Sequence, residues 1–169
     1  NNTVLVVGTG TIGEPLIGLL AALKEECGID ELLFYKRTPL LHEVAKVESL
    51  CRRGAKLVVT NEASVPKFEK LGHSPSLTFA EALSIATVVI DCTPAGNANK
   101  EKFYQPLLDN RVLLSKAKPL FIAQGSEKGF GAPYALRIND DTLVASKRHV
   151  FLQVVSCNTH TIARLILAL

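Results

Sequence analysis

The sequence predicts an α/β fold, a mostly parallel sheet with helices on both faces. Three observations predict it. Apolar runs of strand length alternate with segments whose apolar residues recur at helical spacing. A glycine-rich turn, Gly8-Thr9-Gly10-Thr11-Ile12-Gly13, stands between the first such strand and the first such helix. The length, 169 residues, suits one domain with a proper core.

The elements follow in order. Val4 to Val7 reads as a strand, and Leu16, Leu19, Leu20 and Leu23 mark a helix face with Pro15 in its first turn. Leu32 to Tyr35 is a second strand. Val44, Val47 and Leu50 mark a second helix, ended by Gly54. Leu57 to Val59 is a third strand. Pro66 to Leu71 is a short helix stopped by Gly72, and Phe79 to Ile85 is another. Val88 to Ile90, Pro119 to Ala123 and Phe151 to Val155 complete the strands, and residues 125–149 are assigned little structure. The last helix is marked by Ile162, Leu165, Ile166 and Leu169. Strand and helix alternation of this kind argues for parallel strands covered on both sides.

Composition bounds the function. Hydrophobic residues are 47% and charged ones 21%, and no apolar run approaches a membrane span. A net charge of +3 is too mild to argue for nucleic acid and fits a small anionic ligand. Cys27, Cys51, Cys92 and Cys157 have no close metal-ligand spacing, so no metal site is expected. A disulfide framework is not expected in a chain with a large core, which favours a reducing cytoplasm. Met is absent even at position 1. This points to a trimmed chain, a piece of a longer protein, or modified methionines missing from the sequence as written.

The glycine turn carries the first chemical reading. After a strand and before a helix, Gly8 permits the tight turn, Gly10 lets a pyrophosphate approach the backbone, and Gly13 lets helix and strand pack closely. The pyrophosphate would rest on N–H groups near Thr11 and Ile12. This is the fingerprint of a Rossmann-type doubly wound fold; a turn of purely structural use is the alternative. A protein that prefers NAD places an Asp or Glu at the end of the second strand. Here Tyr35-Lys36-Arg37-Thr38 stands there, and Asp30 and Glu31 precede the strand. Lys36, Arg37 and the Thr38 hydroxyl suit the 2′-phosphate of NADP, against the alternative of a solvated basic turn. Two more loops leave strand ends on the same edge: Asp91-Cys92-Thr93-Pro94-Ala95-Gly96-Asn97 and Gln124-Gly125-Ser126-Glu127-Lys128. Asp91 is expected to brace its own loop.

Cys157 carries the second reading. It lies in Ser156-Cys157-Asn158-Thr159, where a strand gives way to a helix. A thiol at a helix N-terminus faces unpaired N–H groups and the positive end of the helix dipole. Both favour the thiolate, the form that acts as a nucleophile. A buried cysteine filling an apolar gap is the alternative.

Taken together these blocks resemble the archaeal-type (type II) glyceraldehyde-3-phosphate dehydrogenases. The likeness runs through Gly8 to Gly13, Lys36-Arg37-Thr38-Pro39, Asp91 to Gly96, Gln124 to Lys128 and Ser156 to Thr159, in the family's order and at compatible spacing. The resemblance implies oxidation of glyceraldehyde 3-phosphate with phosphate, NADP (preferred) or NAD taking the hydride. It implies Cys157 as nucleophile, with Ser156, Asn158 and Thr159 contacting substrate. It implies Gly8, Gly10, Thr11, Ile12, Gly13, Lys36, Arg37, Thr38, Thr93 and Gly125 as cofactor contacts. It further implies a cytoplasmic homo-oligomer, a homotetramer, with no nucleic-acid or membrane partner.

The chain also departs from the family. His160 and Thr161 replace a Thr-Gly pair after Asn-Thr, and Ser126 replaces a Gly. His160 reads as a surface or packing histidine. None of His42, His73, His149 and His160 matches the family's general base. The resemblance therefore divides the chain into a dinucleotide-binding domain, 1–156, and the start of the cysteine-bearing helix, 157–169. That helix leads to a catalytic domain absent from this chain. Two alternatives stay open: a non-catalytic NADP-binding module or redox sensor, and a related phosphorylating enzyme acting on aspartate semialdehyde.

Overall fold

The computed structural model describes residues 1–110, 119–124, 128–144 and 150–168. Its centre is β1 (Thr3–Val7), all of whose residues are buried. Parallel strands lie on both sides of it: β2 (Glu31–Tyr35), β3 (Lys56–Val59) and β4 (Leu77–Thr78) on one, β5 (Val88–Asp91), β6 (Leu120–Gln124), β8 (Phe151–Val154) and β7 (Ala132–Tyr134) on the other. The order is β4-β3-β2-β1-β5-β6-β8-β7, and every pairing is parallel. The expected doubly wound α/β fold is the one observed.

Alternation along β1 divides the core into two layers. Leu5 and Val7 point into a cluster with Leu33, Val58, Phe79, Tyr104 and Phe121. Val4 and Val6 point into the other, with Ile17, Phe34, Val47, Leu57 and Phe68. The second layer is covered by α1 (Gly13–Ala22), α2 (Val44–Arg52) and α3 (Val65–Glu69). The first is covered by α4 (Phe79–Ile85) and by Tyr104 and Leu107 from the helical stretch after β5. Each large apolar side chain so buried contributes about 1.5–3 kcal/mol, which is why both faces must be covered.

Local chemistry sets the helix ends. Thr78 and Glu81 form a reciprocal cap: the Thr78 N–H donates to the Glu81 carboxylate at 2.8 Å, and the Glu81 N–H donates to Thr78 Oγ1. Gly72 follows α3 with φ +80°, a conformation that suits glycine.

Several expectations need correction. Leu19, expected on the buried face of α1, is 55% exposed; Gly13, Ile17 and Gly18 are the residues it buries. The close approach of Gly13 to the glycine loop turns the helix so that Ile17 faces the sheet. The stretch 125–149 holds β7 and α7 (Asp141–Val144) among its described residues. Both are too short for periodicity to reveal. The two-residue strand β4 escapes notice for the same reason. The segment after β5 contains α5 (Gly96–Asn99), a π-helical turn (Lys100–Tyr104) and α6 (Gln105–Asp109), none of it expected. The last helix, α8 (Cys157–Leu167), lies where expected, but it buries no residue.

Candidate functional site

Parallel pairing brings every strand's C-terminal end to one edge. Val7 is in register with Tyr35 on one side and Asp91 on the other, Asp91 with Ala123, and Gln124 with Val154. The glycine loop, the basic turn, the Asp91–Asn97 loop and the Cys157 corner all leave that edge. The chain winds outward one way from β1 to β4, then starts again at β5. The crevice between the two directions is where ligands bind in open α/β sheets.

The glycine loop is shaped for close backbone approach. A Cβ on Gly13 would lie 2.0 Å from the Gly8 carbonyl oxygen, and one on Gly8 (φ +99°) would meet the Thr93 methyl at 3.0 Å. At Gly10 no atom of the described residues lies within 4 Å of such a Cβ, so the backbone is open toward them. Among the described residues no side chain caps the N-terminus of α1. Thr11 and Ile12, exposed at that end, have backbone positions suited to an anion. These observations fit a dinucleotide pyrophosphate.

The loop is braced from α2. Lys46 Nζ donates to the Thr9 carbonyl at 3.3 Å and to Glu43 Oε1 at 3.0 Å, and lies 3.2 Å from Glu14 Oε2. Glu43 also pairs with Lys36, whose side chain is only 6% exposed. The hydrogen bond from Lys36 is the main reason the Glu43 carboxyl is held below its ordinary range, with Lys46 adding to it against the opposing effect of burial. Lys36 thus lines the cleft but spends its charge on Glu43, while Arg37 and Thr38 remain exposed.

Asp91 braces its loop as expected. Its Oδ1 accepts from the Thr93 N–H (2.9 Å) and hydroxyl (2.6 Å), and its Oδ2 accepts from Asn99 Nδ2 (2.8 Å) and the Tyr104 hydroxyl (2.6 Å). Thr93 therefore faces Gly8 with its methyl group, not with a free hydroxyl. Burial and the Asp91 charge push the Tyr104 hydroxyl pKa up, so it stays a donor.

Between the basic turn and this loop lies a cleft of about 660 Å³, floored by Val7, Gly8 and Thr9. Tyr35, Phe79 and Phe103 form an aromatic wall, with ring centroids 4.4 Å and 5.3 Å apart along the row. The volume, the aromatic wall and the adjacent glycine loop fit the adenosine half of a dinucleotide.

The cysteine corner stands on the far side of the switch point. Ser156 is the N-cap of α8: its Oγ accepts from the Thr159 N–H at 3.3 Å and lies 3.0 Å from Thr159 Oγ1. Cys157 is the first residue of the helix and is exposed. Asn158 Oδ1 lies 4.0 Å from its sulfur. The ring of His160 bonds the Leu136 carbonyl through Nε2 at 3.1 Å, in keeping with a packing histidine. Cys92 is buried, and its thiol is pushed up to about 12 by desolvation first and the Asp91 charge second. Gly125, expected to contact the nicotinamide, lies outside the described residues, as do Ser126, Glu127, His149 and Leu169.

With this geometry in hand, comparison with known proteins is informative. The chain is 32% identical over 166 residues, 97% of its length, to a glyceraldehyde-3-phosphate dehydrogenase of Pyrobaculum calidifontis. It is 31% identical over 167 residues to that of Aeropyrum pernix, and 28% over 157 residues to that of Pyrococcus furiosus. The chain is similar to archaeal glyceraldehyde-3-phosphate dehydrogenases. It spans 43% of the length of the first two and 42% of the third. No family model matches it.

The likeness extends over both the cleft and the Cys157 corner, since the matched segments take in nearly the whole chain. Reading the sequence missed Glu43, Lys46, Tyr104 and Lys102. A carboxylate seven residues past Lys36 was legible as a possible partner. The bonds of Lys46 to Thr9 and of Tyr104 to Asp91, and the place of Lys102 in the cleft lining, depend on packing between segments and leave no local pattern. Among the described residues no helix is long and apolar enough to cross a membrane.

Proposed function

We propose that this chain is the dinucleotide-binding part, with its nucleophile, of a type II glyceraldehyde-3-phosphate dehydrogenase that prefers NADP to NAD. The observation that carries the reading is an exposed cysteine at the first position of a helix, on the same sheet edge as a dinucleotide-shaped glycine loop. From β1 to β8 is three strand spacings, about 14 Å, a distance that a dinucleotide laid along the edge would bridge.

In this reading Gly8, Gly10 and Gly13 admit the pyrophosphate, and the N–H groups at Thr11 and Ile12 hold it. Arg37 and Thr38 bind the adenosine 2′-phosphate, while Lys36 and Lys46 shape the wall through Glu43. Thr93 contacts the cofactor from the cleft, and Gly125 takes the family's role of a contact near the nicotinamide. Cys157 Sγ attacks the aldehyde carbon, and the carbonyl oxygen takes a proton, giving a hemithioacetal. When bound, NADP would supply the acceptor for the hydride that leaves this carbon, while the hydroxyl gives up its proton to solvent or a base and becomes the thioester carbonyl. The thioester left on Cys157 is opened by phosphate: a C–O bond forms, the C–S bond breaks, and the thiolate returns. Ser156, Asn158 and Thr159 contact substrate oxygens. More than half of the relatives' length lies outside the part that this chain matches, and none of this chain's histidines matches the family's general base. A base that moves protons typically contributes about 10²–10⁴-fold in rate.

The test measures NADPH formation from glyceraldehyde 3-phosphate and phosphate, by this chain and by the longest natural form that contains it. The expected result is robust turnover by the long form, abolished by Cys157→Ser, and negligible turnover by the 169-residue chain, which still binds NADP. No turnover by the long form would defeat the proposal. Limited alkylation at neutral pH should label Cys157 ahead of Cys27, Cys51 and Cys92; preferential labelling of another thiol would remove it as nucleophile.

A further inference from the structure

The described residues lining the cleft include three cations, Lys36, Arg37 and Lys102, and no carboxylate. Such a lining favours an anion there. Lys36 is nearly buried and bonded to Glu43, so it has little charge to spare for a ligand. Among the described residues neither Arg37 nor Lys102 has an ion-pair partner.

Lys102 lies in the middle of a π-helical turn and lines the cleft. Wider turns of this kind re-aim side chains and are frequent at functional sites. Here the two ends of the turn are anchored in the fold. Lys100 Nζ donates to the Phe130 carbonyl at 2.5 Å and lies 4.5 Å from the centre of the Phe151 ring. Tyr104 is fully buried and donates to Asp91. Between these anchors Lys102 and Phe103 line the cleft. Lys102 Nζ rests 5.1 Å from the centre of the Phe103 ring, an exposed contact that a phosphate readily displaces.

We infer that Lys102 is a specificity-determining residue of the cleft, the second cation that joins Arg37 on the 2′-phosphate of the adenosine ribose. This rests on the cofactor reading above and adds to its residue assignment: Lys102 joins Arg37 and Thr38 on the phosphate, and Lys36 remains a positioning residue.

The test titrates the protein calorimetrically with adenosine 2′,5′-bisphosphate and with 5′-AMP, which differ only in the 2′-phosphate. The wild-type protein should prefer the bisphosphate. Lys102→Gln should reduce that preference about tenfold or more with little change for 5′-AMP, and Lys102→Arg should retain most of it. An unchanged preference in Lys102→Gln, or equal losses for both nucleotides, would overturn the assignment and leave the dinucleotide cleft standing. A wild-type protein that binds neither nucleotide would remove the cleft reading and this inference with it.

Discussion

The strands around β1 and those around β8 carry the two ends of the proposed chemistry, and they are packed very differently. All five residues of β1 are buried, and α1 closes over it through Ile17 at 0% exposure. On β8, Val154 is already 39% exposed, and the helix that follows buries nothing: Ile162, Leu165, Ile166 and Leu167 are 58–67% exposed. The glycine loop is therefore held by tight packing from several directions. Cys157 is held by strand register and by the Ser156 cap. One region is shaped by close packing and charge pairing, the other by strand register and a few exposed hydrogen bonds, and mutations should distinguish them.

The largest effect is expected at Gly13. A methyl group there would stand 2.0 Å from the Gly8 carbonyl, so Gly13→Ala must push α1 off the loop. Denaturant unfolding should show a loss of about 3 kcal/mol or more, and NADP binding should disappear. A loss under about 1 kcal/mol would show that the loop yields, and would weaken the contrast between the two regions.

Next comes Glu43→Gln. It leaves Lys36, 6% exposed, without its counter-charge. Breaking a buried pair from one side costs about 3 kcal/mol, to be read from the same unfolding curves. The pH dependence has a definite sign. The Glu43 carboxyl is held below its ordinary range, chiefly by the hydrogen bond from Lys36. Its contribution is full above the ordinary carboxylate pKa and is lost as pH falls through the lowered value. Wild type should therefore lose more stability than Glu43→Gln as pH falls from the ordinary carboxylate pKa through the lowered value of Glu43. Parallel curves would show that the pair contributes nothing.

The smallest effect sharpens the comparison from the other side. Ile166→Ala, on the exposed face of α8, should change the stability of this chain by less than about 0.5 kcal/mol. Leu33→Ala, fully buried beside β1, should cost about 2–5 kcal/mol. Similar losses at the two positions would mean that α8 is packed against something in solution.

Much of the architecture could be read before any coordinates. The helix expected over Phe79 to Ile85 is observed with those bounds. The strand-to-helix corner at Cys157 is announced by an apolar run, a small-polar cluster and a helical repeat. Failures occurred where an element was too short to show a period, as at β4 and β7. They also occurred where periodicity pointed to the wrong face, as at Leu19. The stretch after β5 was missed because α5, the π-helical turn and α6 run together without one regular repeat.

By itself the sequence determined the order of the longer strands and helices, the glycine turn between the first strand and the first helix, the basic turn, and a cysteine at a helix start. Each rests on interactions within one strand, one turn or one helix, so neighbouring residues suffice to specify it. Only the tertiary structure decided that Lys36 belongs to Glu43, that Lys46 braces Thr9, that Tyr104 secures Asp91, and that Lys102 enters a cleft with Arg37. Those contacts join segments brought together by the register of parallel strands and by helix packing, and no local repeat encodes them.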